Sequence, residues 1–507
     1  MIRTASIPII AQCQLHNERT AIIDGGGIYS YADLLQASSS VGAELLAGRS
    51  DLQEERIAFA VTPGFAWVAT LWGIWRAGGI AVPLALNSPR PELEYFIDDC
   101  RASSIIGDAS TLSHLSPIAE SRGIHALTLD SLRAPARVES PELTVDVSSN
   151  RRAMILYTSG TSSRPKGVVT NHANIAAQIM SLIEAWEWHS DDRILLCLPL
   201  HHVHGIINVV SCALWAGASC QMLPRFDANV VWDSIATGNL TLFMAVPTIY
   251  TKLVAAWDAA SKERRERLTA GCARMRLMVS GSAALPVSTL LRWKEISGHT
   301  LLERYGMTEI GMALSNPLHG ERVPGSVGRP LPGVDVQLVD EDGKPVSPGT
   351  AGEIEVRGSN VFSEYWDKPD ATCTAFRDGW FRTGDTAVLL EEGVYRILGR
   401  TSIDILKTGG HKVSALEIEE VLRQHPAIAE CAVVGVPDPE WGERVAAAVV
   451  LNSGQDLDLT SLRAWAMKLL STHKVPSRLL VLDALPRNAM GKVVKPTVVK
   501  LFESQED

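Results

Sequence analysis

Residues 157–168, YTSGTSSRPKGV, place five serine and threonine hydroxyls, two glycines and a lysine within twelve positions. That composition suits a phosphate cradle. Gly160 and Gly167 let the backbone approach a ligand closely, Thr158, Ser159, Thr161, Ser162 and Ser163 offer hydroxyl and N–H donors, and Lys166 adds a cation. The stretch lacks the Gly-Lys-Ser/Thr ending of a P-loop, so it is not a Walker site. Standing alone, it would leave a flexible surface loop as the lesser alternative.

An apolar run, Ala153 to Leu156, leads into this stretch and reads as a buried strand. From Arg56 to about Arg304, strand-like runs alternate with helical patterns. IAFAV precedes a helix around Trp67–Trp75, RILLCLP one around Ile206–Trp215, LTLFMAVP one around Ile249–Trp257, and RLMVSG one around Pro286–Ile296. Such repetition predicts an α/β fold of parallel-rich sheets covered by helices, with ligands at the strand ends. After Gly325 a β-rich subdomain follows, and from Lys407 a compact α+β pattern in which Ser414 and Glu417 form a capping box. The boundary is placed near Arg400–Asp404, giving a large N-terminal domain, 1–401, and a small mobile C-terminal domain, 402–507.

The 507 residues are 46% apolar and 21% charged, as in an ordinary globular enzyme. A net charge of −10 argues against nucleic acid as the main partner, and any anionic ligand must find its cations locally. Eight scattered cysteines without a C-x-x-C pair suggest neither a disulfide framework nor a zinc site, and imply a reducing, cytoplasmic interior. The start, MIRTASIPIIAQ, does not match a signal or transit peptide. The most apolar stretch, Ile57 to Leu86, is broken by Pro63, Arg76 and Gly78-Gly79, so no integral membrane segment is expected.

Six further stretches accompany the hydroxyl-rich one: PLHHVHG from Pro199, VSGSAALP from Val279, LERYGMTE from Leu302, FRTGD from Phe381, GRTSIDILKTGGHKVSALEIE from Gly399 and PRNAMGK from Pro486. In this order they closely resemble the signature set of the adenylate-forming superfamily of acyl-CoA synthetases, adenylation domains and luciferases. The resemblance covers most of the chain. It implies a two-step ligation that uses ATP, Mg2+ and coenzyme A: a carboxylate displaces pyrophosphate to give an acyl-adenylate, and a thiol then displaces AMP.

By that resemblance, Thr158, Ser159, Gly160, Thr161, Ser162 and Lys166 hold the β- and γ-phosphates. Thr308 and Glu309 meet the α-phosphate, and Glu309 with Thr158 meets the metal, for which hard oxygen ligands are suited. Gly281, Ser282, Ala283, Glu303, Tyr305, Gly306 and Met307 frame the adenine and the acyl group. Asp385 accepts the ribose hydroxyls, with Arg400 nearby. Lys492 bridges the attacking carboxylate and the α-phosphate as a point charge. Thr408, Gly409 and Gly410 admit the pantetheine arm after the small domain turns about Ser402, a hinge position that departs from the usual lysine or aspartate. Ser163 likewise replaces a usual glycine.

The acid is expected to be dicarboxylic. Glu303-Arg304 stands where many relatives of uncharged acids carry small or neutral residues, and a buried arginine demands a partner. A second carboxylate supplies one through bidentate hydrogen bonds, with His202 and His204 as further donors. This combination resembles the malonyl-CoA synthetases, including methylmalonate-accepting forms. The alternatives are an ion pair between Arg304 and Glu303 or another carboxylate, a packing role for His202, a ligase for another short-chain or aryl acid, and a stand-alone carrier-loading module. The partners are then a small carboxylic acid, ATP and CoA, for a monomer or homodimer.

Overall fold

Strands buried on both faces need apolar side chains at every position rather than alternate ones, and several runs here have that character. In the computed structural model, which describes residues 7–129, 145–158, 164–487 and 493–504, the strands Ile80–Pro83, Leu242–Ala245 and Leu277–Ser280 are buried throughout. The chain folds into two compact units, Met1–Asp335 with Val356–Phe381, and Val336–Glu355 with Arg382–Asp507.

The first unit holds two sheets. In the nine-stranded sheet, Leu302–Met307 lies between Leu277–Ser280, its parallel neighbour, and Gly311–Ser315, its antiparallel one. Leu277–Ser280 continues in parallel to Leu242–Ala245 and then Arg193–Leu196. In the seven-stranded sheet, Arg152–Thr158 pairs in parallel with Ile80–Pro83 and antiparallel with Lys166–Asn171. Helices cover these sheets, as the alternating pattern requires. Phe65–Arg76, Pro247–Asp258 and Val287–Ser297 form where helices were expected. Trp232, Tyr250 and Trp293 are fully buried, with the two indoles stacked at 5.4 Å and Tyr250 edge-on to Trp293 at 4.9 Å. Aromatic pairs of this kind add about 0.5–1.5 kcal/mol beyond their burial.

The helix expected around Ile206–Trp215 forms, as a π-helix over His204–Ser211 continued by a short α-helical turn, Cys212–Trp215. Apolar spacing does not separate a period of 3.6 from a wider turn over so short a run.

The second unit is α+β. The strand Trp380–Leu389 pairs antiparallel with Tyr395–Arg400, and a five-stranded sheet is built on the hairpin Ile428–Asp438 and Gly442–Leu451. The helix Ala415–Leu422 lays Ala415, Ile418 and Leu422 on this sheet. Its Ser414 cap accepts from the Glu417 N–H at 3.2 Å, which is one half of the expected capping box. Among the described residues no helix is long and apolar enough to cross a membrane, and all eight cysteines are free.

Candidate active site

In the first unit the hydroxyl-rich stretch sits at the tip of a hairpin. Thr158 ends one strand opposite Lys166, which begins the next. Ser159, Gly160, Thr161 and Ser162 lie outside the described residues, as does Lys492. Both ends of the hairpin tip are held by one helix, Arg90–Asp99. The Tyr157 hydroxyl donates to Asp99 Oδ2 at 2.8 Å, and the Tyr95 hydroxyl donates to the Pro165 carbonyl at 2.7 Å. Asp99 also receives Lys368 Nζ at 2.8 Å. Burial pushes both tyrosines above the usual phenol range, and the Asp99 charge adds to the shift.

Thr308 and Glu309 occupy the turn between Leu302–Met307 and Gly311–Ser315. Glu309 is buried, and its Oε1 accepts the Tyr365 hydroxyl at 2.9 Å. Tyr365 lies on a short strand that pairs with Lys166–Asn171, and its ring centre is 4.3 Å from Lys166 Nζ. One phenol therefore joins the cradle lysine to the acidic turn. Sequence reading missed it because Tyr365 belongs to no motif and reaches the site through β-pairing.

Arg304 extends from the same strand as Tyr305, and its neighbour Glu303 must face the other side. Glu303 Oε1 accepts from the Gly325 N–H at 3.2 Å. Arg304 is 3% exposed, its Nη2 donates to Ser282 Oγ at 3.3 Å, and Nε and Nη1 have no hydrogen-bond partner among the described residues. Burial pulls its guanidinium down to about 9. Gly281 is what admits it: a Cβ there would stand 2.6 Å from Arg304 Cζ. Ser282, held at φ 71°, turns its hydroxyl to within 3.4 Å of His204 Nδ1. Burial, then the Arg304 charge and His202, lower His204 well below the ordinary imidazole range, so it is neutral at physiological pH. The His202 ring lies 4.1 Å from that of His201, tilted at 54°. Buried Arg304 and buried His204 are thus linked through the exposed Ser282 hydroxyl, and Arg304 keeps unused donors among the described residues. Ala283, Tyr305, Gly306 and Met307 flank it along the same two chain segments. A Cβ at Gly306 would strike the Gly311 carbonyl.

In the second unit Asp385 is paired in register with Arg400 and accepts its Nε at 3.2 Å. Arg400 also donates through Nη1 to the Thr383 carbonyl. Ser402 is exposed in the turn that follows, and Asp404 accepts the Arg400 N–H at 2.9 Å. Asp404 and Glu419 together receive Lys495, at 2.5 and 2.8 Å. Sequence reading passed over this lysine. Thr408, Gly409 and Gly410 form a tight hairpin turn with φ of 54° and 80° at the two glycines, as a two-residue turn of this hand requires. The Trp441 ring lies against Gly409, 2.9 Å from where a Cβ would stand.

Among the described residues no cluster of three or more histidine, cysteine or acidic side chains could hold a metal. A magnesium ion bound with ATP needs no such cluster, because it takes one or two protein oxygens and completes its shell with phosphates and water. Glu309 and the Thr158 hydroxyl are oxygen donors of that kind.

The AMP-binding enzyme model matches residues 10–366, and the AMP-binding enzyme C-terminal domain model matches residues 417–492. The mitochondrial malonate–CoA ligase ACSF3 of Bos taurus is 46% identical, over 99% of this chain and 91% of that protein. The malonate–CoA ligase of Arabidopsis thaliana is 38% identical, over 96% of this chain and 87% of its own length. Among solved structures, ATP-bound MatB from Rhodopseudomonas palustris superposes with a TM-score of 0.90 at 35% identity, covering 99% of this chain and 100% of that one. The family models and the relatives match along nearly the whole chain, and this protein belongs to the AMP-binding enzyme family.

Proposed function

We propose that the protein is an ATP-dependent malonate–CoA ligase, with methylmalonate as a second acid. One carboxylate oxygen of malonate bonds to the α-phosphorus of ATP as the bond to pyrophosphate breaks. The sulfur of CoA then bonds to the acyl carbonyl carbon, its proton is lost, and AMP leaves. In this reading Arg304 holds the far carboxylate, and His204 and His202 complete that wall. The stretch from Thr158 through Ser159, Gly160, Thr161 and Ser162 to Lys166 receives the β- and γ-phosphates. Thr308 contacts the α-phosphate, and Lys492 neutralises charge as it moves onto oxygen. Glu309 and Thr158 would hold the magnesium ion, which supplies charge neutralisation on the phosphates when bound. Asp385 and Arg400 take the ribose, and Gly281, Ala283 and Tyr305 frame the adenine. We assign the thioester step to movement of residues 402–507 about Ser402, with Thr408, Gly409 and Gly410 beside pantetheine. We also assign a cytoplasmic location; the mammalian relatives are named mitochondrial, and fractionation of the native host decides between the two.

One observation carries the substrate assignment. A guanidinium that is 3% exposed, with two nitrogens lacking partners among the described residues and one hydroxyl as its hydrogen-bond acceptor, is a costly arrangement unless an anion completes it. A dicarboxylate leaves one carboxylate for adenylation and brings the other to Arg304. Pyrophosphate release is to be measured with malonate, methylmalonate, succinate, acetate and benzoate. Malonate is expected to be fastest; equal rates with acetate would refute the role given to Arg304. Arg304→Ala is expected to lower kcat/KM for malonate by roughly 10- to 150-fold, the loss of about 1.5–3 kcal/mol of charge-assisted hydrogen bonding, with ATP binding retained.

A further inference from the structure

The π-helix that begins at His204 carries a second polar side chain with no role so far. Asn208 is 0% exposed, and neither its Oδ1 nor its Nδ2 has a hydrogen-bond partner among the described residues. A buried amide without partners is costly, and such a group in a folded protein calls for an explanation. Every other residue of the helix from Gly205 to Val210 is apolar or glycine, so leucine would pack here at no such cost. Its place in the helix associates the amide with the site. Asn208 follows His204 by four residues, which places both side chains on adjoining positions of one helix face. His204 in turn touches Ser282, and Ser282 touches Arg304. The wider π turn is also a rare form, found mostly at functional sites.

We infer that Asn208 is a specificity-determining residue, whose Nδ2 donates to the carboxylate that Arg304 neutralises. The inference rests on the dicarboxylate reading above and adds to it. Arginine supplies charge, which many anions would satisfy; an amide held rigidly on a buried helix supplies a second direction, selecting a planar carboxylate at a fixed distance from the reacting end. The amide adds an uncharged donor beside neutral His204 without a cost of burying a second cation.

The test compares kcat/KM for malonate and for propionate, which lacks the far carboxylate, in Asn208→Leu, Asn208→Asp and Arg304→Ala, with Tm measured for each. Asn208→Leu is expected to lower the malonate-to-propionate ratio about tenfold or more, the loss of one hydrogen bond to a charged group, while Tm stays level or rises. Asn208→Asp is expected to lower the ratio further, since its carboxylate repels that of malonate. A ratio unchanged in both Asn208 variants overturns the inference, as does a fall in Tm with equal losses for the two acids, which would make Asn208 a packing residue. If Arg304→Ala also leaves the ratio unchanged, the dicarboxylate reading itself fails; if Arg304→Ala lowers the ratio and the Asn208 variants do not, only the inference about Asn208 is lost.

Discussion

Tyr365 does for Glu309 what a bound partner does for a metal-ligating carboxylate. By donating to Oε1 at 2.9 Å it fixes which oxygen is engaged and leaves the orientation of the other defined. Groups of this kind typically change metal affinity by about 10- to 100-fold when removed. Tyr365→Phe keeps the ring beneath Lys166 and removes only the hydroxyl. The Mg2+ concentration for half-maximal pyrophosphate release is expected to rise about tenfold, and an unchanged titration would separate Glu309 from the metal. At this scale the sequence was informative where chemistry was concentrated in a short motif. Arg304 was legible through the family resemblance, which sets it where relatives of uncharged acids carry small or neutral residues, and a cation in such a place calls for a partner. Tyr365 and Asn208 were not, because a lone tyrosine or asparagine in an apolar context has no meaning until β-pairing or helix geometry says what it faces.

The helix Arg90–Asp99 serves as a clamp on the hairpin tip, an element-level role that no motif announces. Its two contacts, Tyr157 to Asp99 and Tyr95 to Pro165, sit on either side of the hydroxyl-rich stretch. Fixing a loop's ends lowers the entropy it loses when it closes on a ligand. Tyr95→Phe removes the hydrogen bond to the Pro165 carbonyl and a longer one to Asp99 Oδ1, so KM for ATP is expected to rise about fivefold, equivalent to about 1 kcal/mol, with KM for the acid unchanged. Asp99→Asn weakens both the Tyr157 contact and the Lys368 ion pair and is expected to do more. Because the two contacts share one loop, the double variant is expected to fall short of the sum. Equal rises in both KM values would show a general loss of fold instead. The alternating strand and helix pattern was legible because buried parallel strands require unbroken apolar runs, and the helices over them show matching apolar faces. The π-helix was not, since its distinguishing hydrogen bonds leave no trace in apolar spacing.

For the molecule as a whole, burial has been extended to groups that titrate near neutrality, and this sets its acid limit. His172 is buried against the edge of Trp75, its Nε2 lacks a partner among the described residues, and burial with the nearby Arg151 charge pulls it down to about 3. His204 is lowered in the same direction. An unfolded chain binds protons at these imidazoles near pH 6.5, whereas the folded chain does not until far lower. Between about pH 3 and 6.5 the unfolded state therefore binds more protons, so stability falls as pH drops through that window. At pH 5 the difference is about 2 kcal/mol for His172, from 1.36 kcal/mol per unit, and His204 adds in the same direction. Tm is accordingly expected to fall steeply between pH 7 and 5. His172→Phe, which keeps an aromatic ring against Trp75 without a titrating nitrogen, is expected to flatten that slope. A wild-type Tm that held steady to pH 5, or a His172→Phe profile parallel to wild type, would show that these rings are hydrated enough in solution to bind protons as they do in the unfolded chain. The same burial that makes the fold acid-sensitive keeps His204 neutral beside the buried Arg304 guanidinium, so the two properties have one physical origin.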